Sequence, residues 1–231
     1  RERMKHRIQG AMEALADVGE LFTEEQVTDA YRACYRTCHA IREKERDVSF
    51  DEQVRIFVRG IDEGLLERID QESFARIESS YADSFYESPA RLADGGPEML
   101  AKLKERGYRL GLISNTGMTP GWVFRAYMES LGIIGYFDQL TFSDEVLLAK
   151  PSLAMFLHTL KSLGYPAHQA VHVGDQLSSD VEGARGVGIS PVLLDRDGNH
   201  KDITDCPRIE TLMELPMLLP SYRSDDPSFP P

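Results

Sequence analysis

The sequence predicts an α/β protein: a Rossmann-like core built on a parallel sheet, with a helical domain ahead of it. Three observations carry this reading. Helical periodicity runs from the start to about residue 87, the texture changes at Ser88-Pro89, and beyond it short apolar runs alternate with amphipathic helices. The expected division is a helical domain over 1–88, an α/β core over 89–220 and a disordered tail over 221–231. Pro227, Pro230 and Pro231 among Ser and Asp set the tail apart.

In the helical part, Thr23 with Gln26 and Ser49 with Glu52 read as capping boxes, in which a hydroxyl and a side chain three residues on satisfy helix-start amides. After the first, Val27, Ala30, Tyr31, Cys34, Cys38 and Ile41 recur at helical spacing; after the second come Val54, Phe57 and Ile61. Phe74, Ile77, Tyr81 and Phe85 form a further stripe. The aromatics Tyr31, Tyr35, Phe57 and Tyr81 read as core side chains. Cys34 and Cys38 share a helix face beside His39, which admits a metal reading, but further ligands are wanting nearby and small buried side chains fit better.

In the second part, Pro97 reads as the start of a helix and Gly107 as the residue past its end, leading to a strand from Arg109 to Ile113. Thr119-Pro120 opens the next helix and Gly132 closes it. A strand over Gln139–Phe142 follows, then a helix from about Pro151 to Leu163 ended by Gly164, then a strand over Ala170–Val173. A short helix near Ser179–Gly186 leads to the strand Ile189–Leu194. Crossovers of this length imply parallel strands, whose ligands bind beyond the carboxyl ends.

Composition narrows the partners. A formal net charge of −12 argues against a nucleic-acid backbone and leaves a small molecule as the better expectation. Three cysteines make no even disulfide framework and the opening RERMKHR is polar, so a cytoplasmic setting is expected. No apolar run approaches the roughly 20 residues that span a bilayer, so no membrane partner is expected. Either a monomer or a homodimer is compatible with the sequence.

Polar stations stand at the ends of the apolar runs. In Gly174-Asp175-Gln-Leu-Ser-Ser-Asp180 an acid ends a strand and a second begins a helix, a pair that suits a hard cation such as Mg²⁺; a turn and a helix cap are the alternative roles. Ser114-Asn115-Thr116-Gly117 offers a hydroxyl, an amide and loop N–H groups to a phosphate, though it also reads as a plain polar turn. Lys150-Pro151 puts an ammonium ahead of a helix start, where the macrodipole disfavours it unless an anion is shared. A solvated surface lysine is the other reading.

Together, LGLISNTG, AKPSLAMF about 35 residues later and HVGDQLSSDVEGARGVG beyond resemble the second, third and fourth motifs of the haloacid dehalogenase superfamily, the aspartate-nucleophile hydrolases. The resemblance runs from residue 1 to about residue 219 and makes residues 1–88 similar to that superfamily's helical cap. It implies that Ser114 and Lys150 are catalytic, that Ser114, Asn115, Thr116 and Lys150 bind the phosphoryl group, and that Asp175 and Asp180 hold Mg²⁺. The implied activity is a Mg²⁺-dependent phosphatase acting on a small phosphorylated metabolite through an aspartyl-phosphate.

One part departs from the pattern. The family's first motif is a strand ending in D-x-D, and Arg1-Glu2-Arg3 is already polar lead-in to the helices. Asp17, Asp29 and Asp47 lie in helical or charged contexts and do not replace it. In the family this strand lies mid-sheet, between those ending at Ser114 and Asp175, and leaving its place open strands backbone groups at on the order of 1 to 3 kcal/mol each. The central first strand, with the attacking carboxylate, is therefore expected ahead of Arg1. Two other readings stay open: an inactive relative that binds a phosphorylated ligand or partner, and a metal-free dehalogenase, which has little use for Asp175 and Asp180.

Overall fold

The structure, a computed structural model, describes residues 2–219; the tail expected over 221–231 lies outside the described residues. In chain order the elements are α1 (Glu2–Ala16), α2 (Glu24–Arg42), α3 (Phe50–Ile61), α4 (Leu65–Arg68), α5 (Gln71–Asp83), α6 (Gly96–Glu105), β1 (Gly111–Ser114), α7 (Gly121–Ser130), β2 (Gln139–Phe142), α8 (Ser143–Val146), α9 (Leu153–Leu163), β3 (Val171–Gly174), α10 (Glu182–Gly186), β4 (Ser190–Leu194), β5 (Arg208–Ile209) and α11 (Leu215–Leu218). They form two compact units. The first takes the described part of Arg1–Arg91 with Asn115–Tyr127 and Phe142–Ala149; the second takes that of Leu92–Ser114, Met128–Thr141 and Lys150–Pro231. Helices come first and strands alternate with helices after, the α/β order read from the sequence.

The first unit is held by the stripes that the periodicity marks. Thr23 and Gln26 close a complete capping box on α2, and the Ser49 hydroxyl accepts from Glu52 N–H at the start of α3. Asp70 caps α5 in the same manner by accepting from Ser73 N–H. Val27, Ala30, Cys34 and Cys38 from α2 meet Val54 and Phe57 from α3 and Ile77 and Tyr81 from α5 in one buried cluster. The Cys34 thiol donates to the Gln53 carbonyl at 3.3 Å. Tyr35 departs from the expected core role, being 49% exposed on the outer face of α2.

Between α2 and α3 the chain does not simply turn. Arg46 forms an antiparallel bridge with Leu148, Asp47 N–H donates to the Leu147 carbonyl at 3.1 Å, and Ala149 N–H donates to that of Glu45 at 3.1 Å. Glu45 (φ 59°) and Leu147 (φ 57°), one on each side of this clasp, have left-handed backbones.

In the second unit, β3 pairs with β4 in parallel, Val171 opposite Ser190 and Gly174 opposite Leu193, and β4 pairs with β5 in parallel. β1 pairs with β2 in a separate sheet. Val192 and Ile209 pack with Met99, Leu103 and Leu215, while Phe156, Leu160, Ala184 and Ile189 form a second cluster. The strands β1 and β3, which the expected order places on either side of a central strand, are only partly covered: Val171 is 42% exposed. β1 starts at Gly111 rather than Arg109. Upstream of it, Leu110 N–H bonds the Asp138 carboxylate at 2.8 Å and its carbonyl accepts from Asp138 N–H at 2.8 Å, so a loop takes up the pairing groups. α9 starts at Leu153 rather than at Pro151, so Lys150 stands ahead of the helix as expected but three residues from its start.

Candidate active site

The best-defined part of the site lies where β3 ends. At Gly174 a side chain would stand 2.2 Å from Asp180 Cγ, so glycine alone lets the chain fold Asp180 back over the strand end. The turn is closed by Gln176 N–H on Asp180 Oδ2 at 3.0 Å and Asp180 N–H on the Gln176 carbonyl at 2.8 Å. Residues Leu177–Val181 then wind as a π-helical turn that leads directly into α10.

Asp180 is buried, and its Oδ1 receives Lys150 Nζ at 2.5 Å and meets His172 Nε2 at 3.2 Å. Burial alone disfavours the charge. The His172 hydrogen bond, the Lys150 ammonium and the Gln176 N–H outweigh it and hold the Asp180 carboxyl well below the usual carboxylate range. His172 is braced edge-on by Phe156, with ring centroids 5.1 Å apart. His172 stands two residues before Gly174, so the period of a strand puts its side chain on Gly174's side of β3.

Asp175, just past β3, is different: its side chain is 50% exposed and Oδ2 accepts from Arg196 Nη2 at 3.0 Å. It lines a cavity of about 100 Å³ with Asp195, Arg196, Asp197, Asn199 and His200. Asp195 is buried beside it, accepting from Asn199 and His200 N–H and from Arg208. Mg²⁺ binds through one or two carboxylates and keeps waters and substrate phosphate in its shell. Asp175, half exposed and paired with Arg196, offers one carboxylate for such a role, but no group of three or more His, Cys, Asp or Glu that could hold a metal ion is found among the described residues. Both oxygens of Asp180 already carry hydrogen bonds, so it fits a supporting position behind the cation better than direct ligation.

Ser114 is the last residue of β1, again at a strand's carboxyl end. The loop after it, in the first unit, is shaped by Asp47 and by Ser143 and Asp144, of which only Asp47 is named from the sequence, and that only to be set aside as nucleophile. Thr116 is buried; its N–H donates to Ser143 Oγ at 3.0 Å and its hydroxyl lies 3.1 Å from the same oxygen. Ser143 in turn donates to Asp47 Oδ2 at 2.6 Å. Asp144 accepts from Gly121 N–H at the start of α7, and burial pushes its carboxyl above the usual range in spite of that bond. Asn115 is exposed, so of the two loop side chains expected on a phosphate it is the one presented to solvent.

A family profile described as haloacid dehalogenase-like hydrolase matches residues 4–188. The chain belongs to that family. The glyceraldehyde 3-phosphate phosphatase of Methanothermobacter thermautotrophicus is 33% identical over 127 residues, 52% of this chain and 55% of that protein. The phosphoglycolate phosphatase of Nitrosococcus oceani is 34% identical over 143 residues, 60% of this chain and 61% of its own. The match thus spans little more than half the length of these curated relatives. A crystal structure of a HAD phosphatase from Thermococcus onnurineus superposes with a TM-score of 0.60 at 25% identity, covering 95% of this chain and 91% of that one. In this HAD-like chain Ser114 ends β1 and Asp175 directly follows β3, while Lys150 lies between α8 and α9 and Asp180 in the π-helical turn. No helix among its described residues is long and apolar enough to cross a membrane.

Proposed function

We propose that this chain is the body of a Mg²⁺-dependent phosphohydrolase of small phosphorylated metabolites, working through an aspartyl-phosphate. The observation that carries the reading is the buried contact of Lys150 with Asp180, backed by His172. A carboxylate held ionised fixes an ammonium at the carboxyl end of a parallel sheet, where a phosphate needs neutralising charge. Such a device has little purpose in a protein without an anionic ligand.

In this mechanism Ser114 and Asn115 hydrogen-bond the phosphoryl oxygens, and Lys150 offsets their charge and orients the attacking carboxylate. Asp175 holds the cation, which when bound contributes further positive charge to those oxygens. Asp180 keeps Lys150 in place. The attacking carboxylate is assigned to a strand ending in D-x-D seated between β1 and β3, a reading supported by the separate pairing of those strands and the exposure of Val171. Selection of the leaving group is assigned to the helical residues 1–88. The names of the curated relatives recommend glyceraldehyde 3-phosphate and phosphoglycolate as first substrates to try.

The deciding assay is hydrolysis of an aryl phosphate by protein carrying a D-x-D strand ahead of residue 1. Turnover is expected with Mg²⁺ and lost on chelation, and the 231-residue chain alone is expected to be silent. Turnover by the shorter chain defeats the nucleophile assignment, and silence of both defeats the enzyme reading.

A further inference from the structure

We propose that Asp47 is a positioning residue for the phosphate-binding loop Asn115–Gly117, so that the corner between α2 and α3 sets the shape of that loop; this rests on the phosphate reading above. The Asp47 side chain is 0% exposed. A carboxylate so buried is tolerated only with full hydrogen bonding, and each of its bonds has a direction. Val48 N–H donates to Oδ1 at 2.9 Å, while Arg42 Nε at 3.0 Å and the Ser143 hydroxyl at 2.6 Å both donate to Oδ2.

An ionised carboxylate only accepts, so Ser143 spends its proton on Asp47. Its oxygen is then left as an acceptor, ready for Thr116 N–H at 3.0 Å and for the Thr116 hydroxyl at 3.1 Å. Arg42 extends the same support by a second route, its Nη2 donating to the Gly117 carbonyl at 2.5 Å. The loop is therefore fastened through three of its own atoms to one buried acid. With both oxygens engaged and no exposure, Asp47 is no candidate to attack phosphorus itself.

The backbone points the same way. Glu45 and Leu147, each next to one of the bridged residues Arg46 and Leu148, both sit in the left-handed region, which is sterically unfavourable for a non-glycine residue. Strain of this kind persists where the surroundings over-determine a geometry, and it gathers at sites that need one. Here the clasp it permits joins residues 45–47 to 147–149, so a single corner braces both the Asn115–Gly117 loop and the run that ends just before Lys150.

Asp47→Asn tests this with almost no change of shape. The amide keeps an oxygen for Val48 N–H but turns an NH₂ toward Arg42 and Ser143, so Arg42 Nε loses its acceptor, and Ser143 must accept there, which leaves one lone pair for Thr116 N–H and reverses its bond with the Thr116 hydroxyl. In the full chain, binding of inorganic phosphate with Mg²⁺ is measured by calorimetry, Mn²⁺ binding by paramagnetic resonance, and exchange of Thr116 N–H by mass spectrometry. Asp47→Asn and Ser143→Ala are each expected to weaken phosphate about tenfold or more and to speed that exchange, with Mn²⁺ affinity unchanged. The double variant is expected to be about as weak as the worse single one, because both act on one chain of bonds. Parental phosphate affinity in the folded single variants, even with reduced thermal stability, overturns the proposal. If the parent chain binds no phosphate, the phosphate reading falls; the exchange then still decides, with parental rates in both variants overturning the hold of Asp47 on the loop. Should Asp47→Asn fail to fold, Ser143→Ala, which removes one hydroxyl, carries the test.

Discussion

Gly174 illustrates how a single missing side chain sets up chemistry. A Cβ at this position would fall 2.2 Å from Asp180 Cγ and 2.4 Å from Oδ2, so Gly174→Ala must displace either the strand end or the carboxylate that holds Lys150. The expected loss is about 1 to 3 kcal/mol in chemical denaturation, the usual range for overpacking a tight site. Gly96 makes the control: nothing lies within 4 Å of its Cβ position, and Gly96→Ala is expected to change stability by less than about 0.5 kcal/mol. Equal effects of the two substitutions would deny Gly174 its special role. The GD pair is visible in the sequence, but the reason for its glycine is not. That reason is a contact with a residue six positions on, made only after the π-helical turn has formed.

At the scale of elements, caps and stripes were legible because they are local: a hydroxyl and an amide three residues apart, or apolar residues on one helix face, act within one or two turns. Ends fixed by long-range partners were not. The start of β1 is the clearest case, since Asp138, far along the chain, takes Leu110 N–H and the side chains of Lys104 (2.8 Å) and Arg109 (2.6 Å). Burial opposes the charge on Asp138, but those donors prevail and bring its carboxyl to about 2. A folded-state value depressed in this way contributes stability above the unfolded carboxylate range near 4, which is lost as pH falls through about 2. Asp138→Asn is therefore expected to flatten the acid limb of stability against pH between about 4 and 2. The predicted loss is about 1 to 2 kcal/mol at neutral pH, after allowance for the solvent around Arg109. An unchanged acid limb, followed by urea denaturation at successive pH values, would show the cluster to be ornamental. Tyr35 gives the opposite lesson: it lies beside a legible stripe but is 49% exposed, and no local pattern reports which side of α2 the core covers.

For the whole molecule, the order of motifs carried the family, because spacing between strand ends survives when individual residues are ambiguous. The supporting network was illegible, since Ser143 meets Thr116 across 27 positions and Asp47 across 96, and no periodicity links them. The same distinction separates the two acids that the sequence treats as a pair. Asp175 is half exposed and paired with Arg196, whereas Asp180 is buried on Lys150, so on the proposed reading the first would act on the cation and the second on the charge facing the phosphate. Their substitutions should therefore fail differently in protein that carries the D-x-D strand. Asp175→Asn is expected to weaken Mn²⁺ binding and shift the Mg²⁺ requirement upward, with turnover partly restored at high Mg²⁺. Asp180→Asn is expected to leave Mn²⁺ binding near the parental value while lowering kcat by about 10²- to 10³-fold, since Lys150 loses the partner that fixes it, and Lys150→Ala should match it. Because a buried carboxylate left without its ammonium is costly, Lys150→Ala should also lose about 3 kcal/mol of stability, a loss that Asp180→Asn, with no charge left behind, avoids in part. If excess Mg²⁺ restores Asp180→Asn as fully as Asp175→Asn, both acids ligate the cation directly and the division of labour drawn from their burial is wrong.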